Sequence, residues 1–186
     1  MFKNIFLHFK KICIHKYWVG YYCFKTGIPV RGLLHDLSKF SPTEFWEGVK
    51  YYQGDSSPID ACKADKGYSK AWLHHRGRNL HHWVSWIDNF QEAGGEPLCM
   101  PYEYTIEMFC DFLGAGRAYG GKNFSLAQEY EWWKKNSPTM ILHPVVRKTL
   151  DLLFLHCLRH NKVPNKYYCK FTYDYERAAQ EELVNK

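Results

Sequence analysis

The chain contains no Cys-x-x-Cys pair. Its seven cysteines, at positions 13, 23, 62, 99, 110, 157 and 169, are odd in number and dispersed. That excludes zinc-finger spacing and a disulfide framework, and it fits a reducing, cytoplasmic setting. There is no Gly-x-x-x-x-Gly-Lys-Ser/Thr loop and no Gly-x-Ser-x-Gly elbow, so P-loop enzymes and α/β-hydrolases are excluded. The 25 Lys and Arg residues are scattered without a polybasic block, which argues against nucleic acid as the main ligand. No stretch approaches the ~20 uncharged residues of a membrane span, and no membrane partner is expected. The opening segment, residues 1–11, has an apolar run too short for a secretory leader, broken by His8 and Lys10, and no small-residue cleavage site follows. Apolar residues continue to Phe24, as in a packed first helix rather than a basic helix lying on a surface. Internal repeats, low-complexity tracts and alternating strand patterns are missing as well.

What is present is a chain of 186 residues, 46% hydrophobic and 18% aromatic. That is enough for one substantial core and incompatible with disorder as the main state. The net charge of +6 permits an anionic substrate without requiring one. The pattern is of helices joined by short loops. A first helix is expected over residues 4–25, stopped by Thr26-Gly27 with Pro29 beyond. A second covers 30–40. Ser41-Pro42-Thr43-Glu44 reads as a capping box opening a third, which ends near Gln53-Gly54. Residues 54–66 read as a polar loop. Helices follow at 68–76 and, after a break at Gly77 and a cap at Asn79, at 80–90. Residues 92–101 read as loop, and helices are expected at 102–119, 126–136, 144–161 and 174–184. The class is all-α.

The chemistry concentrates in His35-Asp36-Leu37-Ser38-Lys39, flanked by further histidines and an aspartate. His15 lies upstream. His74, His75, His81 and His82 lie downstream, and Asp111 follows. A buried carboxylate beside a histidine is unfavourable without a metal or a partner, so the doublet, set among leucines, reads as a ligand pair. On a helix, adjacent side chains point about 100° apart, so other ligands must come from neighbouring helices. His15 and Asp111 are placed to supply them. Mixed imidazole and carboxylate ligands suit Mn, Fe, Co, Ni or Zn. His75 and His82 are seven residues apart, as are His74 and His81, which is about 10.5 Å on an unbroken helix. Ions of a shared site lie only ~3.5–4 Å apart, so both members of a pair can be ligands only if the helix breaks between them. Otherwise some of these rings cap helices or pack against Trp72 and Trp83.

This order of residues resembles the HD superfamily of metal-dependent phosphohydrolases, in a little-characterised bacterial and phage-type branch. His35-Asp36-x-x-Lys39 is similar to that family's His-Asp-x-x-Lys helix, His15 to its upstream histidine and Asp111 to its downstream aspartate. His75, His81 and His82 are similar to the extended form that holds two metals. The resemblance implies a single helical domain over residues 1–186, with a metal-site core at about 15–120 and C-terminal helices, 125–186, packing on it. It implies one or two divalent transition-metal ions held by His15, His35, Asp36, His75, His81, His82 and Asp111.

A phosphohydrolase needs a polarised phosphoryl group and an activated water. Asp36 is expected to be ligand and water orienter, and Lys39, one turn on, to face the same cleft. Arg76, Arg78 and Arg117 are candidate contacts to substrate oxygens, each with the ordinary alternative of a surface charge. Glu107, one turn before Asp111, is a supporting carboxylate or an exposed one. Gly114, Ala115 and Gly116 allow close approach of a helix or a substrate. Cys110 reads as a core thiol rather than a nucleophile. The expected function is hydrolysis of a nucleotide or other small phosphoester. Two alternatives share the ligand string: a di-iron oxygenase on the same scaffold, and a non-enzymatic binding module stapled by metal.

Overall fold

The computed structural model describes residues 2–88 and 96–185. The protein is an all-α helical bundle, and among the described residues the only strand-like feature is one isolated bridge, Ile87 to Pro97. Nine α-helices occur among those residues: α1 (Phe2–Thr26), α2 (Pro29–Leu34), α3 (Pro42–Lys50), α4 (Pro58–Lys66), α5 (Lys70–Arg76), α6 (Tyr102–Gly120), α7 (Leu126–Asn136), α8 (Pro144–His160) and α9 (Lys166–Val184).

α1 packs along α6, and the two form the axis of the molecule. Their contact is close because Gly114 offers no side chain. A Cβ there would overlap Val19. α7 and α8 close over the other side of α6, where Trp133 stacks on Phe154 and Phe109 meets the same ring edge-on. α9 packs on α8 and reaches α1. The core runs through Val19, Cys23, Phe109, Leu113, Leu150 and Phe154, all fully buried. Cys110 belongs to it, buried beside the Thr26 hydroxyl, and none of the seven cysteines is in a disulfide.

Four elements depart from the sequence reading. The polar stretch at 54–66 contains α4, begun by Pro58 at its first position. A proline there is favoured because its missing N–H has no intrahelical acceptor anyway. The second helix stops at Leu34, six residues short, and Leu37–Phe40 forms a single 3-10 turn. No helix runs from Leu80: a turn and the 3-10 segment Trp83–Trp86 take its place, and residues 89 and 90 of the expected helix lie outside the described residues, as do 92–95 of the expected loop. α9 begins at Lys166 rather than 174, because the Asn165 side chain accepts hydrogen bonds from the N–H groups of Tyr167 and Tyr168.

Candidate metal centre

The centre is built around the end of α2. His35 leaves the helix at φ −51° and ψ 129°, and Asp36 sits in the left-handed region, at φ 53°. Aspartate tolerates that region better than most residues, at a cost of about 1 kcal/mol or more. Ending the helix there leaves carbonyls without intrahelical donors. Lys16, from α1, donates from Nζ to the Leu33 and His35 carbonyls at 2.6 and 2.8 Å. The doublet is therefore not two adjacent positions of one helix, as expected, but a break in it. The break turns both side chains the same way, His35 Nε2 lying 3.2 Å from Asp36 Oδ2. The leucines do not bury the pair either. Leu33, Leu34 and Leu37 are 72, 52 and 49% exposed, whereas His35 and Asp36 are each 1% exposed.

Two groups of ligand-type atoms meet at Asp36. On one side, His15 Nε2, His35 Nε2 and Asp111 Oδ1 gather near Asp36 Oδ2. His15 lies 3.3 Å from His35, 3.4 Å from Asp36 and 3.1 Å from Asp111, and His35 lies 3.4 Å from Asp111. On the other side, Asp36 Oδ1 lies 3.3 Å from His75 Nε2 and 3.6 Å from His81 Nε2, and His82 completes the group. Atoms held ~2.0–2.2 Å from one ion lie roughly 3.0–3.5 Å from each other, so these spacings fit a coordination shell. Asp36 Oδ1, His81 Nε2 and His82 Nε2 are buried without hydrogen-bond geometry to any neighbour, and Asp36 Oδ2 faces the Lys39 ammonium beside the histidines. Such orphaned polar atoms are rare in folded proteins, and a divalent cation would satisfy them.

The break after α5 brings the downstream histidines in. α5 starts at Ser69, whose hydroxyl accepts from Trp72 N–H, while Glu47 of α3 accepts from the Ala71 and Lys70 N–H groups. It ends at Gly77. Asn79 does not cap a new helix, as expected. Its amide donates to the His75 carbonyl and to the Ser38 hydroxyl, each at 2.8 Å, fastening the end of α5 to the turn after the doublet. His75, His81 and His82 thereby reach one place. His74 does not, and bonds Glu44 instead at 2.6 Å.

Buried glutamates orient the rings. Glu107 Oε1 lies 2.9 Å from His35 Nδ1 and 3.3 Å from His81 Nδ1, and its other oxygen pairs with Arg31. Glu44 Oε2 lies 2.7 Å from His75 Nδ1. Each carboxylate takes the Nδ1–H and leaves Nε2 facing the centre, the arrangement that makes an imidazole a good metal ligand. Glu107 thus resolves as supporting, not exposed. Glu44 and Arg31 were missed by the sequence reading. Glu44 was spent on a capping box, and Ser41 does accept from its N–H, but its carboxylate goes to the histidines.

Electrostatics knit the cluster together. Burial alone would raise Glu107, yet the hydrogen bond from His35 and the His81 ring 3.3 Å away hold it at about 2. Burial opposes a charge on His35, and Asp36, with hydrogen bonds to Asp111, Asp36 and Glu107, outweighs it and raises the ring well above the usual imidazole range. Burial likewise works against Asp36 and Asp111, which their histidine neighbours keep well below the usual carboxylate range. Lys39 Nζ lies 2.6 Å from Asp36 Oδ2. Burial works against its charge, but Asp36 and Asp111 raise its pKa and keep it cationic.

A cavity of about 240 Å³ opens beside the cluster. His15, His75, His82 and Asp111 form its inner wall, Ile12, Ile59, Trp72 and Ala115 its apolar sides, and Lys11 and Lys39 its cations. Of the small residues on α6, only Ala115 faces this space. Gly114 serves helix packing and Gly116 makes room for the Glu129 carboxylate. The three arginines expected to meet substrate do not line it. Arg76, the last residue of α5, and Arg78 just after it are exposed, and Arg117 lies over the rings of Trp18 and Phe124.

The comparisons bear on this architecture directly. Residues 4–155 match the family of unknown function DUF5662, and the chain belongs to that family. No curated protein and no solved structure matches the chain. The matched span carries every residue of the cluster, so fold and site together define an all-α protein with grouped His and Asp side chains able to coordinate a metal.

Proposed function

We propose that this protein is an HD-type metal-dependent phosphohydrolase acting on a small phosphoester. The observation that carries the reading is Asp36, whose two oxygens face two separate histidine groups, the position of a carboxylate shared by two ions. His15, His35, Asp36 and Asp111 would hold one ion, and Asp36, His75, His81 and His82 the other. Manganese, iron, cobalt, nickel and zinc all suit these donors. When bound, such ions supply Lewis acidity that polarises a phosphoryl oxygen and lowers the pKa of a water. The chain's own groups do the rest. Glu107 and Glu44 fix the ring tautomers, Lys39 holds a positive charge between Asp36 and the cavity, and Ile12, Ile59 and Trp72 exclude bulk water from one side.

Turnover of a panel of nucleotides and phosphoesters by chelated protein, restored by added metal and abolished in His35→Ala, would support the reading. One observation favours a second one, a di-iron oxygenase. The cavity's walls are largely apolar and the three arginines lie elsewhere, so only Lys11 and Lys39 offer charge to a phosphate. Oxygen consumption by the iron-loaded protein, with no phosphate released from any substrate, would select that alternative.

A further inference from the structure

All of the chain's net charge resides in its first 35 residues. Lys3, Lys10, Lys11, Lys16, Lys25 and Arg31 precede the first acidic residue, Asp36, and from there on nineteen basic residues balance nineteen acidic ones. The same segment is apolar on two sides. The inner side of α1, with Ile12, Val19 and Cys23, is buried. On the outer side Phe2, Phe6, Phe9, Cys13, Tyr17 and Phe24 fall within about 80° of helical arc, and all are exposed, Phe6 by 66% and Phe24 by 71%. Phe9 meets Phe40 at 5.9 Å between ring centroids, so the apolar surface continues onto the segment of Leu33, Leu34 and Leu37. A contiguous exposed apolar surface marks an interaction site.

The cations divide by role. Lys11, Lys16 and Arg31 are engaged inside, with the Ala118 carbonyl, the Leu33 and His35 carbonyls and Glu107. Lys3, Lys10 and Lys25 form no ion pair with a carboxylate among the described residues. The exposed row on α9 differs. Around Phe171 and Tyr175, Lys170 pairs with Asp174 and Arg177 with Glu181, so its charge is balanced.

Contrary to the expectation of a packed first helix with no membrane partner, we infer that the α1–α2 face seats on an anionic lipid surface, aromatic and leucine side chains entering the headgroup boundary and Lys3 and Lys10, beside the apolar arc, meeting the phosphates. A second copy of the chain is a poorer occupant, because a twofold contact would set lysines against lysines. A single-stranded nucleic acid would use the aromatic rings and cations, but Val30, Leu33, Leu34 and Leu37 offer no stacking platform. No helix among the described residues is long and apolar enough to cross a membrane, and seating needs none. His8, Lys11, Ile12 and His15, which line the cavity, lie on the opposite side of α1, so the seated protein keeps its cavity open.

Co-sedimentation of the full chain with phosphatidylglycerol vesicles, compared with phosphatidylcholine vesicles, tests this. The expected result is partition onto the first that weakens with salt. It should fall about tenfold or more in Lys3→Glu/Lys10→Glu and in Phe6→Ser/Leu33→Ser, with circular dichroism unchanged in both pairs. Absence of partition onto phosphatidylglycerol, or partition that neither pair reduces, would overturn the proposal. So would a concentration-dependent dimer dissolved by Phe6→Ser/Leu33→Ser, or retention of a single-stranded oligonucleotide without vesicle binding.

Discussion

Glu107 and Glu44 show how much of the centre's chemistry rests on residues that need touch no ion. Each accepts from imidazole Nδ1 and so decides that Nε2 is the free nitrogen. Replacing the carboxylate with an amide removes the strong acceptor while keeping the shape. Glu107→Gln and Glu44→Gln are each expected to weaken metal affinity about 10–100-fold, read by competition against a chelating dye, with the circular dichroism spectrum unchanged. An unaltered affinity would mean that these contacts only pack the rings. His8 offers a different test. It is 8% exposed, and burial followed by the nearby Lys39 charge lowers its pKa to about 4. The folded state then binds fewer protons at this ring than the unfolded chain, whose value is ~6.5. The stability this ring contributes is present above ~6.5 and is lost as pH falls toward about 4. The loss reaches roughly 3 kcal/mol at most. Urea titrations of the wild type and His8→Gln across that window should therefore diverge in slope, the variant losing less stability on acidification. Parallel curves would count against the assigned shift.

Among the elements, those with strong end signals were legible and those ended by backbone events were not. Prolines and capping serines at Ser41, Ser125 and Pro144 mark three helices at their observed starts. Apolar periodicity marks α1 and α6. α4 was hidden by its polar composition, although Ser57-Pro58 carries the same start signal. The truncation of α2 is invisible to periodicity, because a left-handed Asp36 leaves no trace in residue type. The order His15, His35-Asp36, Asp111 nevertheless gave one group of the cluster, since their spacing already required separate helices to converge. The second group needed the break at Gly77, which the sequence does carry. The arginine assignments rested on sequence proximity alone, and proximity says nothing about which side of a short helix a charge takes. Gly114 supplies the expected outcome at this scale. Its Cβ would overlap Val19 of α1, so Gly114→Ala must push apart the two helices that carry His15 and Asp111. A destabilisation of about 1–3 kcal/mol is expected, seen as a lower urea midpoint with unchanged slope, together with weaker metal binding. Stability equal to the wild type would show that the α1–α6 contact has slack.

For the molecule as a whole, the cluster is a junction of segments far apart in sequence. His15 comes from α1, the doublet from the end of α2, His75 from α5, His81 and His82 from the turn that follows, and Asp111 from α6. An ion bound there would tie these segments together in the folded state and have no such site in the unfolded chain, so metal and stability are linked. At free metal 100-fold above its dissociation constant, each site would add about 2.7 kcal/mol, seen as a rise in melting temperature that chelator reverses. Because Asp36 faces both groups, the variants should separate by stoichiometry. Loaded wild-type protein is expected to hold two ions per chain, His15→Ala one, and Asp36→Ala almost none. The melting-temperature rise should fall in the same order. The Asp36→Ala protein has also lost a left-handed aspartate at φ 53°, so its own fold is compared in chelator, where loss of the metal contribution cannot enter. Two ions retained without the Asp36 carboxylate would show that the histidine groups load independently, and the shared-carboxylate reading of the centre would fall.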